Sequence, residues 1–347
     1  MNRVRLAVVG VNHPHAAGFR ENLLLMPEVE IVALYDPAPD VARRLVQPVL
    51  RGLPFYDDLP ALLREQRPEA VLIALPNDAT PDAIVHSARA GAHVFAEKPC
   101  ARTAAEFAPA AAAIAQAGVR FGTGYLRRVS PIGEAIRQAV ADGLLGRLIS
   151  VEARWITTSV QMRDPTHFLF SGARSGGGIL HWLGCHWLDF TRWVTGAEVT
   201  EVAAVLEALS GEAIGVEDTA ALALRYENGM IGSLHAAYVT DKATDQLFFG
   251  LRGTLGWVVW ERSGPECTIH STHPAWRAAP TRVLRFEPDL GGGYGGAAGI
   301  LLLRRFIASF REGAPLLFTP DDARRVLQVL DAAHESAKSG RRIALAA

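Results

Sequence analysis

Short apolar runs rich in β-branched residues recur through the first third of the chain: RLAVVGV (5–11), EIVALY (30–35), AVLIAL (70–75), HVFAE (93–97) and VRFGT (119–123). Ala- and Leu-rich stretches of helical length separate them, near Ala16 to Leu25, Asp40 to Leu50, Pro81 to Ala90 and Thr103 to Ala117. This alternation leaves few folds open, because parallel strands need a crossover between them and that crossover is almost always right-handed. Several runs are continuously apolar, as expected of strands covered by helices on both faces. The spacing predicts a doubly wound parallel sheet of the nucleotide-binding kind over residues 1–123.

From residue 124 onward the pattern changes. RLISVEARWIT, TAALALRYENGMIGSLHAAYV and QLFFGLRGTLGWVVWE are longer and alternate polar with apolar positions. Asn228-Gly229 supplies the positive φ angles of a tight hairpin, so a mixed or antiparallel sheet is expected. Thr319-Pro320-Asp321 opens a 3.6-period apolar stripe that stops at Gly340, which reads as a final helix. A chain of 347 residues outgrows one hydrophobic core. The expected division is 1–123 and 124–347.

Lysine plus arginine number 35 and aspartate plus glutamate 36, a formal net charge of −1. No global field then draws nucleic acid or an acidic membrane to the protein. Cys100, Cys185 and Cys267 are too scattered for a disulfide framework and point to a reducing compartment. The opening MNRVRLAVVGVNHPH carries an apolar run too short for a signal peptide or a membrane span. A cytoplasmic protein with small-molecule partners is expected.

After the first strand, GVNHPH stands where a G-x-G-x-x-G turn would sit, with only Gly10 retained. Asn12 takes the second glycine's place, and asparagine tolerates a left-handed backbone best among the other residues. N–H groups opening the next helix hold a pyrophosphate without needing particular side chains. His13 and His15 either border those phosphates or begin the helix. Asp36 ends the second strand, where a carboxylate accepts ribose hydroxyls and repels a 2′-phosphate; this favours NAD over NADP. The alternative is a turn before Pro37. Leu75, Pro76 and Asn77 end the third run and border the same dinucleotide.

SGGGILHWLGCHWLD, residues 175–189, sets two histidines, a cysteine, two tryptophans and Asp189 directly after glycines. On an α-helix His181 and Cys185 share a face and His186 lies off it. Zinc would need two further ligands, and no C-x-x-C or H-E-x-x-H supplies them, so no metal is expected. Trp182, Trp187 and Trp193 either stack on a sugar ring or fill core.

AGAHVFAEKP, ending in Glu97-Lys98-Pro99, together with GGG, GCHWLD and strings such as GYLRRVSPIGEAI and GVEDTAALALRYENGMIGSLH, resembles the Gfo/Idh/MocA oxidoreductase family along essentially the whole chain. The resemblance implies a Rossmann domain followed by an α+β domain with a large open, mostly antiparallel sheet, often a homodimer or homotetramer. It also implies hydride exchange between nicotinamide and a hydroxyl-bearing carbon of a sugar, polyol or related compound. Its lysine falls on Lys98, with Glu97 beside it at the cofactor, and its histidine and aspartate fall on His186 and Asp189.

Oxidising a secondary alcohol removes a hydroxyl proton while a hydride leaves the same carbon. His186 suits the base, because imidazole titrates near neutrality, and Lys98 suits the donor that steadies the alkoxide. The exchanged roles stay open. His181 is a further proton-exchanging candidate. Arg127 and Arg128 either face substrate, together with Trp182 and Asp189, or form a solvated edge. Two other outcomes remain in view: lyase or glycosidase chemistry through transient oxidation, and a silent dinucleotide-binding sensor suggested by the reduced glycine fingerprint.

Overall fold

The computed structural model describes residues 2–38, 46–241, 245–261, 264–287 and 291–345. The chain forms two compact units, 2–126 with 291–324, and 127–287 with 325–345. The longer helices are α1 (Ala16–Leu24), α2 (Leu59–Gln66), α3 (Thr80–Arg89), α4 (Ala104–Ala117), α5 (Pro131–Ala141), α6 (Cys185–Thr195), α7 (Gly296–Arg311) and α8 (Pro320–Ser339).

In the first unit, β1 (Val4–Val9), β2 (Val29–Tyr35), β3 (Phe55–Tyr56), β4 (Ala70–Ile73), β5 (His93–Ala96) and β6 (Phe121–Thr123) form one sheet. Its order is β3-β2-β1-β4-β5-β6, with every neighbouring pair parallel. Leu6, Val8, Val71, Leu72, Val94 and Phe95 are essentially inaccessible. That is why these strands read as apolar runs without alternation. Thr103 begins α4 by accepting the Glu106 N–H at 3.2 Å, and Gly118 ends it in a left-handed conformation.

Most of the helix expected at 40–50 lies outside the described residues; Pro48–Leu50 forms one 3₁₀ turn. Neither β3 nor α2 stands out in the sequence. The segment 291–324, expected in the second domain, packs with the first unit instead. Phe306 meets Phe95 edge to face at 5.7 Å, and Phe310 stacks on His93 at 4.3 Å.

The second unit is built on β7 (Leu148–Thr158), β8 (Val199–Glu207), β9 (Thr219–Tyr226), β10 (Ile231–Thr240), β11 (Gln246–Gly253), β12 (Gly256–Glu261), β13 (Glu266–Ser271), β14 (Thr281–Arg285) and β15 (Ile343–Ala344). The order is β14-β13-β12-β11-β7-β10-β9-β8-β15. Within it β7 and β10 run parallel and every other neighbouring pair antiparallel. The architecture is the expected α/β fold with a large, mostly antiparallel second sheet.

The hairpin joining β9 and β10 forms where expected, by a different turn. Gly229 alone has positive φ (+83°), and its N–H bonds the Tyr226 carbonyl at 2.9 Å. Asn228 instead accepts the Met230 N–H through its side chain at 3.0 Å, which steadies a longer loop. At the C-terminal helix, Thr319 and Asp322 cap each other: the Thr319 N–H donates to Asp322 Oδ2 at 2.8 Å and the Asp322 N–H to Thr319 Oγ1 at 3.3 Å.

Candidate active site

The strand order of the first unit reverses between β1 and β4, so the loops after those strands frame the crevice where open α/β sheets bind ligands. Gly10 turns the chain out of β1 with φ +97°; a Cβ there would lie 2.2 Å from the Ala74 carbonyl oxygen and 2.9 Å from Leu75 Cδ2. No side chain fits. The left-handed residue is thus Gly10, whereas Asn12 keeps a negative φ and is exposed, so the turn is made without the conformation expected of Asn12.

Asp36 is buried at the end of β2. Its Oδ2 accepts the Val11 N–H at 2.8 Å and its Oδ1 the Ala38 N–H at 2.9 Å. It therefore holds the turn after β1, and each oxygen retains a second accepting position. Asn77 is buried in the loop after β4, which Thr80 fastens by donating toward the Leu75 and Pro76 carbonyls at 3.2 and 3.0 Å.

After β5, Glu97 and Lys98 are buried together with Lys98 Nζ 3.8 Å from Glu97 Oε1, and the Lys98–Pro99 peptide is cis. The same oxygen lies 3.0 Å from His15 Nδ1. Burial, and then the neighbouring Lys98 charge, hold His15 well below the usual imidazole range, so the ring is neutral near pH 7 and shares a hydrogen bond with Glu97 through Nδ1. Burial pushes Glu97 above the usual carboxylate range, against the pull of Lys98 and His13. Glu97 Oε2 has no hydrogen-bond partner among the described residues, and Gly124 leaves it room, since a Cβ there would approach within 2.6 Å. A buried lysine sharing a carboxylate with a neutral histidine can place a proton or a positive charge at the end of β5.

Tyr294 stacks on His15 at 3.8 Å. It is seated by glycines: a Cβ on Gly18 would lie 2.5 Å from the Tyr294 nitrogen, and Asn22 Nδ2 donates to the Tyr294 carbonyl at 2.7 Å. The glycine cluster GGGYGGAAG thus closes on α1. Its composition shows only low complexity.

In the second unit the stretch after the triple glycine is a π-helical turn, Leu180–Gly184, leading into α6. The Cys185 N–H bonds the Leu180 carbonyl, five residues back. An α-helical spacing rule therefore does not apply between His181 and His186, and the expected separation of their faces loses its basis. His186 is buried, with its ring 5.4 Å from that of Trp155. Arg127 lies over Trp187 at 3.9 Å, Trp155 at 4.7 Å and Trp260 at 5.4 Å. Trp187 is core: it stacks on Phe249 at 5.5 Å and donates Nε1 to the Arg154 carbonyl at 3.0 Å.

Arg128 and Asp189 form a buried bidentate pair, Nε to Oδ2 at 3.0 Å and Nη2 to Oδ1 at 2.5 Å. The fork expected to face substrate grips α6, next to the His186 turn. Trp182 is buried. His181 is drawn together with Glu217 and His334, neither of which the sequence singles out. Their signal is tertiary, since nothing in the spacing of 181, 217 and 334 is periodic.

Residues 4–125 match the model of an oxidoreductase family with an NAD-binding Rossmann fold, and residues 134–259 match the GFO/IDH/MocA C-terminal domain. Myo-inositol 2-dehydrogenase of Thermotoga maritima is 25 % identical over 99 % of this chain and 98 % of its own. The rhizopine catabolism protein MocA of Rhizobium meliloti is 27 % identical over 96 % and 95 %. Among solved structures, GenD2 from gentamicin A biosynthesis in complex with NAD superposes with a TM-score of 0.83 at 26 % identity, covering 100 % of this chain and 97 % of that one.

Proposed function

The chain belongs to the Gfo/Idh/MocA oxidoreductase family, and from that premise we propose that it exchanges a hydride with a hydroxyl-bearing carbon of a sugar, polyol or related polyhydroxylated metabolite. The Gly10 turn, the opening of α1 and Asp36 fit a dinucleotide: the turn admits no Cβ, helix N–H groups suit phosphate, and the carboxylate suits ribose hydroxyls while repelling a 2′-phosphate. NAD, when bound there, takes up or returns the hydride. Asn77, Leu75 and Pro76 border it, and His13 lies in the same turn.

The observation that carries this reading is the buried Lys98–Glu97–His15 cluster at the end of β5. Lys98 steadies negative charge on the substrate oxygen as its proton leaves. Glu97 holds the Lys98 side chain, and His15 shares the same carboxylate oxygen. His186 accepts the hydroxyl proton, and the Arg128–Asp189 pair keeps its helix in place. Arg127, held over Trp187 at 3.9 Å in the same segment, is the second guanidinium assigned a role toward substrate. Preorganised donors and a positioned base are each worth roughly 100-fold or more in rate.

The exposed positions of β9 and β10 include Ala221, Ala223, Ser233 and His235, an outer sheet face that supports a homodimer or homotetramer. No helix among the described residues is long and apolar enough to cross a membrane, and the three cysteines are buried free thiols, in keeping with a reducing cytoplasm. The reading is tested by following NADH at 340 nm against a panel of sugars, polyols and inositols. Turnover of one or more with release of NADH is expected; failure of the purified protein to bind NAD by titration calorimetry overturns it.

A further inference from the structure

We propose that His181, Glu217 and His334 form a binding site for a divalent transition-metal ion of the zinc class, an assignment independent of the hydride-transfer reading. One imidazole nitrogen from each histidine and a Glu217 carboxylate oxygen lie within 4.8 Å of one another. His334 Nε2 stands 4.0 Å from Glu217 Oε2, and the His181 and His334 rings are 5.2 Å apart. A separation of 4.0 Å is too long for a hydrogen bond. It is close to the spacing of two ligands on one ion, since donors held about 2.0–2.2 Å from a metal sit roughly 3–4 Å from each other.

The histidines face a common space. A Cβ on Gly177 would lie 2.3 Å from His181 Nδ1 and 2.6 Å from His334 Nε2, so both nitrogens lie against this glycine and any side chain there would collide with them. Glu217 is held in advance: its Oε2 accepts the Gly178 N–H at 2.8 Å and its Oε1 the Leu180 N–H at 3.1 Å. Those bonds orient the carboxylate and leave further lone pairs on both oxygens, so it is held ready to bind an ion. Access comes from a cleft of about 620 Å³ lined by Gly177, Glu217, His334 and Lys338. Two imidazoles and one carboxylate suit zinc, cobalt(II) or nickel(II) far better than magnesium or calcium, and the cleft leaves room for a water ligand.

The ligands come from the π-helical turn, the residue two before β9, and α8. An ion there ties three distant stretches of chain together, and it makes His181 a ligand instead of a proton-exchanging group.

The test uses the full-length protein stripped with EDTA, then titrated with Co²⁺ by visible absorption and with Zn²⁺ by equilibrium dialysis and elemental analysis. About one equivalent per chain is expected, with a d–d band and a higher melting temperature on zinc addition. His334→Ala and His334→Gln change a half-exposed residue; each folds by circular dichroism and lowers affinity at least tenfold, with the zinc-dependent melting shift abolished. Gly177→Ala, whose methyl enters the shared space, does the same. Binding well below one equivalent in the wild type, or unchanged affinity in both His334 variants, overturns the proposal.

Discussion

Replacing Asp189 with asparagine leaves the Arg128 guanidinium buried without its counter-charge. Arg128 is 3 % and Asp189 0 % exposed, and their two hydrogen bonds span α6 and the segment before α5. Removing one partner of such a pair costs about 3–5 kcal/mol, because the remaining charge keeps its desolvation penalty and loses its compensation. For a domain of this size, with about 2–4 °C per kcal/mol, the melting transition falls by roughly 6–20 °C. The double variant Arg128→Met/Asp189→Leu removes both charges and refills the volume with apolar groups, and its stability lies within about 1 kcal/mol of the wild type. Urea unfolding followed by tryptophan fluorescence reads both, since Trp187 sits in the adjoining core. The reasoning fails if Asp189→Asn costs less than about 1 kcal/mol, or if the double variant is as unstable as the single one.

His15 gives a pH signature. Its folded value lies below the unfolded one of about 6.5, so the unfolded chain binds the extra proton as pH falls past 6.5; stability is full above that value and declines below it, by at most about 1.4 kcal/mol per pH unit. His15→Asn flattens that acid-side slope in denaturation curves between pH 5 and 7, and an unchanged slope contradicts the assignment. Asp36→Asn removes the charge that repels a 2′-phosphate while keeping an acceptor for the turn; the ratio of kcat/KM for NAD over NADP is expected to fall roughly tenfold or more, and an unaltered ratio removes Asp36 from cofactor selection.

Much of the first unit is legible because its signals are local. Ala70–Ile73 is buried on both faces and so reads as an unbroken apolar run, and Gly10 marks a turn that no other residue can make. Lys98 and Glu97 emerge from a short motif after a strand. What escapes is the tertiary completion of each site. Asn22 fastens Tyr294 over His15 from 272 positions away, and Glu217 reaches Leu180 across 37; neither contact leaves a period in the sequence. The π-helical turn escapes for a different reason: a spacing argument assumes 3.6 residues per turn, and Leu180–Gly184 does not keep it. Arg128 looked like a substrate fork because a pair's geometry, not the residue type, decides whether a guanidinium is spent inside the fold.

The roles of Lys98 and His186 are tested by steady-state kinetics on the best substrate from the NADH screen, comparing wild type, Lys98→Met and His186→Gln with NAD affinity measured in parallel. Each variant is expected to lose roughly 100- to 10,000-fold in kcat while binding NAD within a few-fold of the wild type. Variants that turn over within threefold of the wild type contradict it.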